Sequence, residues 1–283
     1  MVNQCFRKTD SQMKQNKTKR KPIGAVVISD LHVGSTVALW PPDGELSSGN
    51  VVGFGKNYHQ KWLWDVWQHT IKTACEHFGN DPWVLVCNGD LMDGVHHHNT
   101  EVTAAIEADH MEASVKCIKL LSEKAQETYV VRGTECHTKE FEKVIAQKLG
   151  AVYCGDTGLL EIHGTLLDVK HHTTTSGRAY LEAGGMSIAM GNARLNYARV
   201  DHRIPKVFIR AHRHVGGVYT DGSAAMVITG AYQLLTRWGK KVVGDSVCRP
   251  AFAILDWRNK PQNSLPAISL PTYDPRQETI TIV

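Results

Sequence analysis

The chain is expected to fold as an α/β protein, a layered β-sandwich flanked by helices (α/β/β/α). Three observations predict this. Up to about residue 150, continuous apolar runs alternate with helical apolar stripes, as strands buried on both faces do when helices cover them. Beyond that point, short apolar runs come in pairs around turn residues, with one helix among them, which reads as hairpins. The 283 residues are 42% hydrophobic, enough to fill one large core. No apolar stretch approaches the roughly 18 residues of a membrane span.

The elements follow in order. Ile23–Ser29 (IGAVVIS), between Pro22 and Asp30, reads as a buried strand. Residues 33–56 are rich in Gly, Pro and Ser, including Pro41-Pro42-Asp43-Gly44. They predict a long loop over one face that gates access to a site there. Asn57 caps a helix to about Phe78, with Leu63, Val66, Trp67, Thr70, Ile71, Ala74, Cys75 and Phe78 on one stripe, and Gly79 ends it. Pro82–Cys87 is the next strand. Ala104–Gln126 is a second helix, Tyr129–Val131 a short strand, and Lys139–Leu149 a helix stopped by Gly150. Leu159–His163 and Leu166–Lys170 form a hairpin about Gly164-Thr165, followed by a helix near Met186–Asp201 and a strand at Lys206–Arg210. Val215–Thr220 and Ser223–Thr229 pair about an Asp221-Gly222 turn. Ala251–Trp257 and Glu278–Val283 are expected as late edge strands. Nothing between 22 and 283 reads as a linker, so this stretch is taken as a single domain behind a disordered basic tail, residues 1–21.

The charge sits unevenly. The net formal charge is +4, but residues 1–21 carry seven cations against Asp10, which is +6 and leaves −2 for the remainder. The pI near 8.6 is therefore a property of the tail, and a globally basic nucleic-acid face is not indicated. As a flexible arm the tail would give salt-sensitive, sequence-blind affinity for RNA or DNA. It lacks the apolar core of a secretory signal. The seven cysteines (5, 75, 87, 117, 136, 154, 248) are odd in number and form no C-x-x-C pair, which predicts a reducing, cytoplasmic compartment. Cys75, Cys87 and Cys117 lie among apolar neighbours and read as buried thiols.

Five polar clusters each follow an apolar run: Asp30-Leu31-His32, Gly89-Asp90, Arg132-Gly133-Thr134-Glu135-Cys136-His137, His171-His172 and His212-Arg213-His214. Ligands in α/β sheets gather at that edge. Asp and His in this number suit a two-metal hydrolytic centre, with ions about 3.5–4 Å apart and a water-derived nucleophile between them. In an extended turn, residues i and i+2 point the same way, so Asp30 with His32, and His212 with His214, can face a common point. An N and O donor set with no thiolate favours Mn, Fe, Zn, Co or Ni over Mg or Ca, with Mn the leading expectation.

The order D-x-H, G-D, Gly-polar-His, H, H-x-H resembles the calcineurin-like metallophosphoesterase superfamily over about residues 23–230, most of the chain. The resemblance implies a pair of β-sheets sandwiched by helices, with a dinuclear metal centre at strand ends. Carried over, Asp30, His32, Asp90 and His214 would hold one ion, and Asp90, His171 and His212 the other. The family's third element is usually Gly-Asn-His followed by an acid. Here Thr134, Glu135 or water must replace the Asn, and His137, two positions late, becomes the general acid. Ala211 stands where the family usually has Gly. The chain looks most like variants encoded by phages and prophages, with the Pro-Pro-Asp-Gly loop, the Arg-Gly-Thr-Glu-x-His element and the paired His171-His172; for such a protein the compartment is the host cytoplasm.

The implied activity is hydrolysis of a phosphomonoester or phosphodiester, with a nucleotide or nucleic acid as candidate substrate. A nuclease is the alternative within that class. A weakly active metal-binding scaffold or recruitment module is the alternative outside it. His97, in the run His96-His97-His98, is the candidate contact to substrate phosphate. His172 stands as the alternative to His171. Asp93 reads first as a turn former, with a supporting position behind the metal ligands as the alternative. Trp67 reads as core, and Trp64, off the stripe, as the one tryptophan free to stack. Arg194, Arg199 and Arg203 read as a solvated helix face.

Overall fold

The computed structural model describes residues 20–96, 100–173, 182–243 and 248–274. Most of the basic tail, His97 and the strand expected at 278–283 lie outside the described residues.

Strand β1 (Gly24–Ile28) is buried at every position, because both its faces are covered. Ala25 and Val27 point into a core between two sheets, while Val26 and Ile28 point into a second core beneath helices. That is why its sequence is continuously apolar instead of alternating. After β1 come a small ribbon, β2 (Gly44–Glu45) and β3 (Val51–Val52), then helix α1 (Tyr58–Phe78), β4 (Trp83–Asn88), α2 (Glu107–Ser122) and β5 (Glu127–Val131). The chain continues through a one-turn helix α3 (Glu135–Thr138), α4 (Phe141–Leu149), β6 (Val152–Tyr153) and the hairpin β7 (Gly158–Ile162) and β8 (Thr165–Val169). The last described elements are α5 (Glu182–Arg199), β9 (Val207–Arg210), β10 (Gly217–Thr220), β11 (Ala225–Ile228), α6 (Arg237–Val243), β12 (Ala253–Asp256) and β13 (Ala267–Ser269).

The first sheet has the order β13-β12-β1-β4-β5-β6, and the second β10-β11-β9-β8-β7. β1, β4, β5 and β6 run parallel, as do β8, β9 and β11. The sheets pack face to face through Ala25, Val27, Val84 and Val86 on one side and Leu160, Leu167, Val207 and Ile209 on the other. α1, α2 and α4 cover the outer face of the first sheet. α5 covers the outer face of the second, with Met186 and Met190 against Phe208, Met226 and Ile228. The architecture is the α/β/β/α sandwich expected.

α1 has the predicted bounds and cap: the Asn57 side chain accepts from the Gln60 amide (3.2 Å). Trp67 is core, with its Nε1–H donated to the Cys117 carbonyl (3.2 Å). Trp64 is partly buried against that core, so it is not a free stacking surface. Cys87 and Cys117 are buried thiols, whereas Cys75 is only half-buried.

Several expectations need correction. Ala253–Asp256 is no edge strand: β12 pairs with β1 on one side and β13 on the other, which explains its unbroken apolar run. The β7–β8 turn is His163-Gly164, one residue earlier than expected, with positive φ at both (49° and 77°). This is the requirement of a two-residue type I′ turn. α2 starts three residues later than its apolar pattern, because Thr103 donates its amide to Gly34 O (2.7 Å) and ties that stretch to the loop after β1. Residues 33–56 are packed in their first part, where Leu39 and Trp40 are wholly buried and Trp40 donates to Val52 O (2.9 Å), and exposed over residues 47–51. The short elements β2, β3, β6, α3, α6 and β13 carry too few residues for a periodic signal. Arg194, on α5, pairs with Asp221; Arg203 lies beyond the end of α5 and pairs with Glu161, so it does not share the helix face expected for it.

Candidate metal centre

The carboxyl ends of β1, β4, β5, β8 and β9 meet at one edge, and each is followed by one of the five clusters. Asp30, His32, Asp90 and His171 are almost completely buried there. His214 is half-buried and His212 lies at the open rim.

The local backbone is unusual. Among the described residues, Asp30, His32, Asp90, His212 and His214 all have positive φ, between 43° and 74°. Non-glycine residues rarely adopt this conformation, and it costs about 1–3 kcal/mol where the surroundings hold it. The extended i, i+2 turn expected for the two His-containing pairs is therefore wrong. Left-handed turns, not a pleat, bring Asp30 and His32 to the same point. They are pinned by backbone bonds from Asp30 N to Gly89 O (3.0 Å), His32 N to Asp90 O (3.0 Å) and Tyr232 N to Asp30 O (2.9 Å).

Two ligand sets result. His32 Nε2 lies 3.1 Å from His214 Nε2, with Asp30 Oδ1 4.0 Å and 3.5 Å from these two nitrogens. His171 Nε2 lies 3.0 Å from Asp90 Oδ2 and 3.8 Å from Asp30 Oδ1. Asp90 Oδ2 is also 3.9 Å from His32 Nε2, so Asp90 stands between the sets. The His212 ring packs edge-on against His171 and His172, with centroids at 5.2 and 4.5 Å. Thr134 faces this side: its Oγ1 donates to Asp90 Oδ2 (3.0 Å) and lies 3.2 Å from His212 Nδ1. Glu135 points outward, 86% exposed, toward Arg132. His171 is buried, whereas His172 is exposed beside it.

These residues fit bound cations on three counts. Ligand atoms each about 2.1 Å from a shared ion lie roughly 3–3.5 Å apart, close to the spacings above. The buried Asp30 Oδ1 has no hydrogen-bond partner. The histidines also have the right tautomers fixed from behind. His171 Nδ1 donates to Asn88 O (2.7 Å), and His32 Nδ1 lies 3.2 Å from Asp93 Oδ1. Both rings therefore turn Nε2 inward, as metal-binding histidines do. Five triads among the described residues could hold an ion: Asp30-His32-His214, Asp30-Asp90-His171, His171-His172-His212, His32-Asp90-His137 and Asp93-His96-His137.

The electrostatics point the same way. Asp30, Asp90, Asp93 and Glu142 are all buried, and among the described residues none of them lies within 4 Å of a Lys or Arg nitrogen. Burial raises the Asp30 pKa above the usual carboxylate range. Burial also opposes a charged ring at His171, but the carboxylates of Asp90 and Asp30 outweigh it and push its pKa up to about 10. For Asp90 the same imidazoles outweigh burial and hold the carboxyl well below its ordinary value. A buried cluster with more carboxylates than cationic partners is costly without further cations to neutralise it.

Three residues, Asp93, His96 and Glu142, have a larger place in the site than the sequence indicates. Asp93 is no mere turn former: it is 1% exposed, and its Oδ1 lies 3.2, 3.5 and 3.6 Å from His32, His137 and His96. His137 Nδ1 donates to Asp93 O (3.0 Å), leaving Nε2 for the cleft, and its ring stacks edge-on against His32. The position three residues after Asp90 was the available signal. His96 belongs to this network, while the favoured His97 lies outside the described residues. Glu142 carried no signal beyond its place in an amphipathic helix.

No protein-family profile matches the chain, and no curated protein matches it. Among solved structures, the chain is similar to an archaeal phosphodiesterase at 13% identity (TM-score 0.42; 88% of this chain, 99% of that one). It is similar to zinc-complexed Vps29 from Entamoeba histolytica at 12% identity (TM-score 0.42; 89% and 98%). A predicted phosphoesterase from Streptococcus pneumoniae matches at 10% identity (TM-score 0.35; 90% and 100%). Likeness this distant does not bear on the chemistry, which rests on the geometry above.

Proposed function

We propose that the chain is a metal-dependent phosphoesterase with a dinuclear centre. Asp30, His32, Asp90 and His214 form one ion's ligand set. Asp90, His171 and His212 form the other, with Thr134 rather than Glu135 in the remaining position. The observation that supports this best is the convergence of buried, cation-free carboxylates with imidazole Nε2 atoms at 3.0–4.0 Å. Manganese suits this N and O donor set, and iron, zinc, cobalt and nickel are the alternatives.

Bound divalent ions supply charge neutralisation for the phosphoryl oxygens and a lowered pKa for the attacking water. The chain's own residues do the rest. Asp93 fixes the tautomer of His137 and, through its carboxylate, favours the charged ring. His137 then holds a proton at Nε2 for the leaving oxygen, as general acid. The exposed rim at His172 and His212 leaves room for a phosphate. His97 remains the candidate contact to it. The substrate is a phosphomonoester or phosphodiester, with nucleotides and nucleic acids as the candidates to screen first.

The test is metal analysis of purified protein together with turnover of p-nitrophenyl phosphate and bis-p-nitrophenyl phosphate in manganese. Asp90→Asn should lose metal and turnover together. His137→Ala should keep its metal and lose on the order of 10²–10⁴ in rate. Absence of turnover on every phosphoester, in protein that does hold metal, would favour the scaffold reading, for which the missing Asn of the third element is the motive.

A further inference from the structure

We propose that Glu142 is a positioning residue that clamps the two loops carrying Asp90 and Thr134 in register, and so sets the spacing of the metal ligands; this rests on the dinuclear reading above. Glu142 lies in the first turn of α4 with 0% exposure. Its Oε1 accepts the Leu91 amide (3.2 Å), immediately after Asp90. Its Oε2 accepts the Gly133 amide (2.5 Å), immediately before Thr134. One carboxylate therefore spans two loops from different strands, β4 and β5, at the point where both turn into the site.

The loops need such a clamp because they touch. Added at Gly133, a Cβ would stand 2.2 Å from Asp90 N and 2.3 Å from Asp90 Oδ1. Thr134 binds Asp90 through both its amide (2.6 Å) and its hydroxyl (3.0 Å). A slip of Gly133 would therefore move both oxygens of the shared carboxylate. Only an ionised carboxylate offers two acceptors in this geometry. A glutamine keeps one and turns an NH₂ against the other amide. Among the described residues Glu142 has no Lys or Arg partner, so an ordinary salt bridge does not account for a buried acid here.

The test compares wild type with Glu142→Gln and with Glu142→Asp, whose carboxylate stands one methylene farther back from both amides. Outer contacts of this kind usually change metal affinity 10–100-fold. We expect both variants to bind manganese at least 10-fold more weakly in calorimetric titrations. Saturated protein should show an altered Mn–Mn coupling in its electron paramagnetic resonance spectrum, and kcat should fall with KM little changed. A purely structural glutamate would lower Tm and leave the coupling of the folded, loaded protein untouched; that result overturns the proposal. Should neither variant fold, amide hydrogen exchange of wild type decides: Leu91 and Gly133 must be strongly protected in the metal-loaded protein, and fast exchange at either overturns the clamp. Wild type that takes up no metal overturns the dinuclear reading and this proposal with it. Wild type that loads two ions, beside variants that load them identically, overturns this proposal alone.

Discussion

At the scale of single residues, the site is made of conformations that side chains usually avoid. Asp30, His32, Asp90 and His214 are held left-handed by backbone bonds with neighbouring loops, and His212 by its amide, which donates to Asp30 Oδ2 (3.3 Å); the strain is stored where the candidate ligands converge. The tight contact of Gly133 with Asp90 gives the sharpest single-residue prediction. Gly133→Ala places a methyl 2.2 Å from Asp90 N, so one loop must shift. We expect a loss of about 1–3 kcal/mol in stability, a large drop in metal affinity, and no change in the helical signal. Denaturant titration and metal analysis on the same sample check it; unchanged metal content would mean that the loops yield without moving the carboxylate.

At the scale of elements, each strand that ends in a cluster is buried on both faces, and each covering helix presents one stripe. α1 shows how separate the contributions are. Its Asn57 cap side chain holds the amide of the buried Gln60, while Trp67 is wholly enclosed and also donates to Cys117 O. Asn57→Ala should cost about 1 kcal/mol, and Trp67→Ala about 3–5 kcal/mol. Both are measurable by urea unfolding, and neither should change the metal stoichiometry of the folded protein. Most strands and three long helices were legible because apolar periodicity reports burial directly. The turn at His163-Gly164 and the place of β12 inside the sheet were not. A one-residue shift of a hairpin turn leaves composition unchanged, and an apolar run is compatible with the edge or the interior.

At the scale of the whole molecule, the buried acids and imidazoles would couple the proposed metal binding to protons. The folded pKa of His171 is raised from 6.5 to about 10. The stability it contributes is therefore fully present below the unfolded value near 6.5 and is lost as pH rises through 10. Glu142, raised by burial and by Asp90 to about 7, acts in the same direction, its contribution fading as pH rises from about 4.5 through 7. His212, held down to about 4 by desolvation and the neighbouring His171 charge, acts oppositely, but only below 6.5. Metal-stripped protein should thus lose Tm steadily between pH 7 and 10. Protein saturated with manganese should hold or gain Tm over the same range, because its ligands must be deprotonated. Loading at pH 8 should release about one proton per chain from His171, read by calorimetry in two buffers of different ionisation enthalpy. Uptake without proton release would remove His171 from the ligand set.

The sequence by itself determined the layering of the fold and the strand ends at which the polar clusters would stand, because strand burial and strand termination are written in local runs of residue type. It also carried Asp30, His32, Asp90, His171, His212 and His214 as a group, through their common placement after apolar runs. Only the tertiary structure decided how they meet: left-handed turns in place of a pleat, Thr134 and not Glu135 facing inward, Asp93 drawn into a histidine network, and Glu142 joining two loops. Those outcomes depend on backbone hydrogen bonds and close contacts between segments as many as 200 residues apart, such as Ser29 with Thr229. No local pattern records contacts of that kind, since each partner's residue type fits many other surroundings equally well.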